Sequence, residues 1–296
     1  MKKLYFLSTV YLFFSITGLS CKEDNNQVQL LVYSYNRPLQ LYAFLESASH
    51  YVKNINYCTV LYRADSNFAP AYDAVKKEFP QIAFIRQSPV NPKGDFKQLT
   101  MEILNNTPAS FCLFAVDDII VKDYVDCADC VRYLQKTGAY AFFLRLGLHL
   151  NYCYTMRRAQ KIPSHKRVDS KVVTWKFNRA VCDWGYPNNV DMTLYRKQDV
   201  IKSLSRIAFS APNNMEGQWA ACSVKNQWGL CYRDSKMVNI PLNVVQEGVP
   251  NYHMNLFSVE ALLQKFNEGL KINIHALYNI KNRSSHIDYY PEFIIR

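Results

Sequence analysis

Phe111-Cys112-Leu113-Phe114-Ala115-Val116, followed at once by Asp117-Asp118, is the stretch that decides the fold. Six consecutive apolar residues show no alternation, so the strand they form must be covered on both faces. Such strands belong to parallel sheets with helices on each side. Upstream, Val28 to Ser34 (VQLLVYS) reads as another buried strand. Tyr35-Asn36-Arg37-Pro38 breaks it, and Pro38 suits the first turn of a helix. Leu39 to Val52 has helical spacing, Tyr57 to Tyr62 is a strand, and Tyr72 to Phe79 is a helix stopped by Pro80. Ile82 to Arg86 is a strand, Pro89 to Gly94 a loop, and Phe96 to Asn105 a helix stopped by Asn106-Thr107-Pro108. The resulting β-α-β-α-β-α-β order predicts an α/β fold. Its sheet is open, mostly parallel, twisted and Rossmann-like, with helices on both faces.

Ligands of such sheets bind outside the carboxyl ends of the strands. Two polar clusters fall there, Tyr33 to Arg37 and Asp117-Asp118. Adjacent carboxylates at a strand end suit a hard divalent cation, Mg²⁺ or Mn²⁺, that also takes phosphate oxygens. The apolar Ile119 to Val121 follows directly, which argues against an ordinary polar turn.

The second half is less regular. Helices are expected over Asp123 to Lys136, Gln198 to Ser205, Met215 to Cys222 and Val259 to Glu268, and a strand over Ala139 to Leu146. Leu148 to Trp175 reads as a polar, aromatic loop or weak hairpin. No repeat or long linker divides residues 27–296, which read as one domain.

The formal charge of +11 favours anionic partners: nucleic acid, acidic head groups or a nucleotide diphosphate. Nucleic acid is set aside, because no zinc finger and no RNA-binding aromatic signature is present. Lys2 and Lys3 precede the apolar run Leu4 to Leu19 and then Cys21. Residues 1–21 thus read as a signal peptide, a lipoprotein signal or a membrane anchor, which places the domain outside the cytoplasm or on a membrane. The eight cysteines beyond Cys21 are an even count that permits disulfides in an exported chain, although their scatter argues against a tight scaffold. Cys112 reads as a buried thiol, and Cys127-Ala-Asp-Cys130, which lacks the second pair a zinc site needs, as structural thiols.

Phe114-Ala115-Val116-Asp117-Asp118 resembles the x-D-D motif of glycosyltransferases of the GT-A fold, including the family-2-like bacterial group. The resemblance runs from about Val28 to the C-terminus. It implies an enzyme that moves a sugar from a nucleotide-diphosphate sugar to a hydroxyl of a glycan or other acceptor. The reaction would depend on Mn²⁺ or Mg²⁺ and would invert the anomeric centre. Asp118 would hold the metal with Asp117 in support, and His286 would complete the metal shell. Tyr35 and Arg37 lie in a segment that looks like the family's first nucleotide-contacting segment, with Arg37 meeting base or phosphate. In similar enzymes an acid at the place of Asp65 meets the base or ribose, and a base at the place of Lys97 approaches the donor. Trp184-Gly185-Tyr186-Pro187-Asn188-Asn189-Val190-Asp191 looks like an acceptor-side motif. There Trp184 and Tyr186 would stack on a sugar, and Asp183 or Asp191 would hold a hydroxyl. Glu216 matches the general base that opens a helix beneath the acceptor, with Asp191 as the substitute. A helix N-terminus stabilises a carboxylate, which lowers the pKa expected of Glu216.

Two other functions fit parts of this pattern. One is a nucleotidyl- or phosphoryl-transferring metalloenzyme, although Tyr33 to Pro38 has no glycine for a phosphate loop. The other is an exported, non-catalytic glycan-binding lipoprotein. Export also conflicts with a cytoplasmic supply of nucleotide sugar.

Overall fold

The computed structural model describes residues 26–222, 224, 226–245, 255–278 and 280–296. The N-terminal signal or lipoprotein reading, Cys21 included, lies outside the described residues. Nine strands form one sheet: β1 (Val28–Tyr35), β2 (Tyr57–Arg63), β3 (Ala83–Arg86), β4 (Phe111–Val116), β5 (Ala141–Phe143), β6 (His165–Arg167), β7 (Val172–Lys176), β8 (Thr193–Arg196) and β9 (Trp228–Tyr232). Their order is β6-β7-β9-β5-β8-β4-β1-β2-β3. Pairing is parallel across β4-β1-β2-β3 and between β5 and β9. It is antiparallel around β8 and around β7. Only β7 and β8 therefore run against the rest, and the sheet is mostly parallel, as expected.

The apolar runs of β1 and β4 have the expected consequence. Val28, Leu30, Val32, Phe111, Leu113 and Ala115 enter one core. Leu31, Tyr33, Cys112 and Phe114 enter the other. Helices α1 (Pro38–Tyr51), α2 (Ala69–Glu78), α4 (Cys127–Thr137) and α7 (Val259–Asn267) pack on the first face. Helices α3 (Pro92–Asn106), α5 (Lys197–Leu204) and α6 (Pro212–Ala220) pack on the second. Each fully buried Leu or Phe in these layers contributes roughly 1.5–3 kcal/mol.

Several boundaries move for local reasons. The α3 helix starts four residues before Phe96, because the Asn91 side chain caps it by accepting from the Gly94 N–H at 3.1 Å and Pro92 takes the first turn. The α4 helix starts at Cys127 rather than Asp123, because Asp126 caps it through the Ala128 N–H at 2.9 Å. It ends where Gly138 turns left-handed at φ 66°. Strands β8 and β9 were not expected. TLYR is too short to show a period, although Leu194 and Tyr195 feed opposite cores.

No helix of the described residues is long and apolar enough to cross a membrane. The eight described cysteines are free thiols, and Cys112, Cys127, Cys130, Cys153 and Cys231 are buried.

Candidate active site

A cleft of about 750 Å³ opens at the carboxyl ends of β1, β2 and β4. It collects Tyr35, Arg37, Asp117, Asp118, Asp183, Tyr186, Asp191, Glu216 and His286. Asp65, Lys97 and Trp184 are not among its lining residues.

Asn36, in the left-handed region at φ 52°, turns the chain out of β1. Asn tolerates that conformation better than most residues. Its side chain fixes the turn, donating to Asp65 Oδ2 at 2.7 Å and accepting from the Asp65 N–H at 2.9 Å. Arg37 is thereby carried into the site, 9% exposed. Its Nη1 donates to Asp117 Oδ1 at 3.1 Å and to Asp118 Oδ2 at 3.2 Å. Its Nε and Nη2 donate to the Asn243 side chain and carbonyl at 2.7 and 2.5 Å. Arg37 is thus the built-in counter-cation of the Asp pair, with Nε, Nη1 and Nη2 all engaged within the protein. Every oxygen of Asp117 is engaged, since Oδ2 accepts from the Tyr35 N–H at 3.3 Å. Burial pushes the Asp117 carboxyl up to about 6 against the pull of Arg37, with Asp118 adding to the rise.

Asp118 differs. Its Oδ2 meets Arg37, but its Oδ1 is buried with no hydrogen-bond partner. A desolvated, unpartnered carboxylate oxygen on a residue that lines the cleft fits a divalent cation whose other ligands are substrate phosphates and water. The donor set is thin. Among the described residues no three His, Cys, Asp or Glu side chains converge as a metal cage. Among the described residues His286 is not clustered with Asp117 and Asp118. It stands instead 3.8 Å from Asp191 Oδ2 and 2.9 Å from the Asn239 side chain. Its ring stacks on Tyr154.

Short pairing of Ile119–Val121 with Met237–Asn239 delivers Asn239, and an isolated bridge from Asn239 delivers His286. On the far wall, Glu216 Oε1 accepts from the Val190 N–H at 2.6 Å. Its pKa is not lowered as expected. Burial, then the neighbouring Asp191 charge, pushes it up to about 8, against the Val190 N–H and Arg145.

Trp184 is a correction. It is 1% exposed, in T-shaped contact with Trp175, and cannot stack on a sugar. Asp183 lines the cleft but is held by Arg145 at 3.4 Å and by Gln160 at 3.1 Å. Lys97 points away, donating to the Ile207 and Ser205 carbonyls at 2.6 and 3.3 Å. Asp65 is exposed and serves the Asn36 turn, also accepting from the Tyr35 hydroxyl at 3.3 Å.

Three cleft residues escaped the sequence reading. Arg63 lies over the Tyr35 ring at 4.3 Å and offers a guanidinium at the cleft. Arg145, 2% exposed, keeps its charge despite burial because Asp183, Asp191 and Glu216 surround it. A lone Arg in the apolar AYAFFLRL was its signal. Asn239 had none.

No family model matches the chain. A curated relative, the "Bifunctional glycosyltransferase pgtA" of Dictyostelium discoideum, is 24% identical over 264 residues, covering 78% of this chain and 34% of its own length. The chain is similar in sequence to a glycosyltransferase. The resemblance drawn from Asp117-Asp118 is borne out at that level, although the chain spans only about a third of the relative's length. Among solved structures, TarS residues 1-349 from S. aureus overlaps 71% of this chain and 59% of its own, at 12% identity and a TM-score of 0.45. The mannosyltransferase PcManGT from Pyrobaculum calidifontis, solved with GDP-Man and Mn²⁺, overlaps 71% and 56%, at 9% identity and a TM-score of 0.43. Overlaps this loose carry no residue correspondence.

Proposed function

We propose that the chain transfers a sugar from a nucleotide-diphosphate sugar to an acceptor hydroxyl, with inversion. The reading is carried by one juxtaposition: a high-pKa carboxyl, Glu216, shares a cleft with an Asp pair that has one oxygen to spare. Glu216 is the general base, and Asp191 keeps its proton affinity high. Such tuning suits a base working near neutral pH. Glu216 takes the acceptor proton as the acceptor oxygen bonds to the anomeric carbon. The bond from that carbon to the diphosphate breaks, and its electron pair leaves with the phosphate. A single displacement of this kind inverts the centre.

Tyr35 and Arg63 hold the nucleotide side of the donor, the ring by stacking and the guanidinium by charge. Asp118 Oδ1 would hold a Mn²⁺ or Mg²⁺ ion, which would supply charge neutralisation to the departing diphosphate. Arg37 and Asp117 hold Asp118 in place. Tyr186 bounds the acceptor side, and His286 orients Asp191.

The test is a thermal-shift panel of nucleotide sugars with and without Mn²⁺, on the wild type and on Asp118→Asn. One donor should stabilise the wild type in a metal-dependent way, and the variant should lose the metal-dependent part. Silence towards every donor, with or without metal, would overturn the reading in favour of a glycan-binding protein.

A further inference from the structure

Positive charge is concentrated at one edge of the molecule. Residues 156–182 hold eight Lys and Arg against a single Asp, within a chain whose net charge is +11. The single acid, Asp169, is already engaged by the Tyr133 hydroxyl and by the N–H groups of Lys171 and Val172 at 2.8 and 2.9 Å. Arg158, Lys161, Lys166, Arg167 and Lys171 are exposed, and Lys176 is half-buried. Apart from the Arg158 guanidinium on the Cys182 sulfur, none of the six side-chain cations has a hydrogen bond or ion pair to an acid among the described residues.

Two features give this edge a direction. β6 is the outermost strand of the sheet, so the charges on it face solvent without a neighbouring strand. On one face of that edge, Lys166 and Lys176 both lie over the Trp228 ring, at 5.7 and 5.1 Å. At the other end, the segment enters the active-site cleft. Thr155 and Met156 line the cleft, and Arg158 Nε donates to the sulfur of Cys182, itself a lining residue, at 3.3 Å. The basic strip thus begins at the acceptor-side wall that carries Asp183 and Tyr186. Like charges this dense repel one another, and a chain of negative groups relieves that repulsion.

We propose that this strip seats a polyanionic acceptor, a glycan chain bearing phosphate or carboxylate groups, whose hydroxyl end enters the cleft past Thr155 and Met156. The proposal rests on the transferase reading for what happens in the cleft, but the binding itself is measured separately. A flat anionic membrane is the lesser fit, because the strip leads from the sheet edge into a cleft.

The test uses the full chain and a fourfold variant, Lys161→Gln with Lys166→Gln, Arg167→Gln and Lys171→Gln, none of which lines the cleft. Probes are inorganic polyphosphate, polygalacturonate, neutral dextran and vesicles containing phosphatidylglycerol. The wild type should bind polyphosphate or polygalacturonate, whichever anion it is built for, and should ignore dextran. Binding should weaken with added salt, and the variant should bind about tenfold more weakly at unchanged Tm. Equal binding by the variant would overturn the proposal, leaving the charges as guards of an exposed edge strand. So would binding to vesicles with no binding to either soluble polyanion, or no binding at all. The donor thermal shift is read on the same two proteins. If polyanion binding is lost in the variant while no nucleotide sugar stabilises either protein, the strip stands and the transferase reading falls.

Discussion

Glu216 shows how one residue's surroundings reverse a local rule. A helix N-terminus lowers a carboxyl pKa only within its first turn. The α6 helix begins at Pro212, so Glu216 lies beyond that turn, and enclosure together with Asp191 outweighs the dipole. Between its ordinary value of 4.5 and about 8, the folded protein holds a proton that the unfolded chain has released. Stability must therefore fall as pH rises through that window. Thermal melts from pH 5 to 8 should show this slope, and Glu216→Gln should flatten it. Activity runs the other way, because only the ionised base accepts a proton. The pH–rate profile should rise along a limb near pH 8, and Asp191→Asn should move that limb to lower pH by removing a like charge. A limb near the ordinary value in the wild type would remove Glu216 from the base role.

At the scale of elements, the segment from Cys182 to Asp191 is a bracket rather than a sugar platform. A 3-10 turn over Cys182–Gly185 is pinned from below by Trp184, and the Trp175 indole donates to the Trp184 carbonyl at 2.9 Å. The turn is tight. Cys182 sits at φ 53°, and a Cβ on Gly185 would approach the Ala180 carbonyl oxygen to 2.7 Å. Pinned in this way, the bracket presents Asp183, Tyr186 and Asp191 to the cleft. Trp184→Ala should therefore cost about 3–5 kcal/mol in urea denaturation. A variant of wild-type stability with weakened acceptor binding would restore the stacking role instead. The sequence showed that this segment was rigid and aromatic, but it could not show which face of Trp184 was covered. That depends on β7 and β9, whose pairing spans more than fifty residues of chain. β4 was legible for the opposite reason: six apolar residues in a row admit one environment.

Over the whole molecule, Arg37 ties together parts that are distant in sequence. It joins the end of β1 to Asp117 and Asp118 after β4, and to Asn243 in the C-terminal half. The carboxylates at the strand end were visible from the sequence, because their placement follows from the strand before them. Their counter-cation was not, since an Arg after β1 looks the same whether it faces solvent, a ligand or an acid on the neighbouring strand. Asn243 was invisible because amide contacts at such separation leave no local pattern. The same geometry yields a prediction. Arg37→Met leaves Asp117 buried without its cation, and breaking a buried pair in this way should cost about 3–5 kcal/mol. Asp117→Asn added to Arg37→Met should recover part of that loss, because the orphaned charge is gone. Mn²⁺ alone should raise the Tm of Arg37→Met more than that of the wild type, since both Asp118 oxygens are then open to the cation. Urea denaturation of the single and double variants, with melts in the presence and absence of Mn²⁺, reads all three. A double variant that loses the sum of its two singles would show that Arg37 and Asp117 act independently, and the clamp would be an accident of packing.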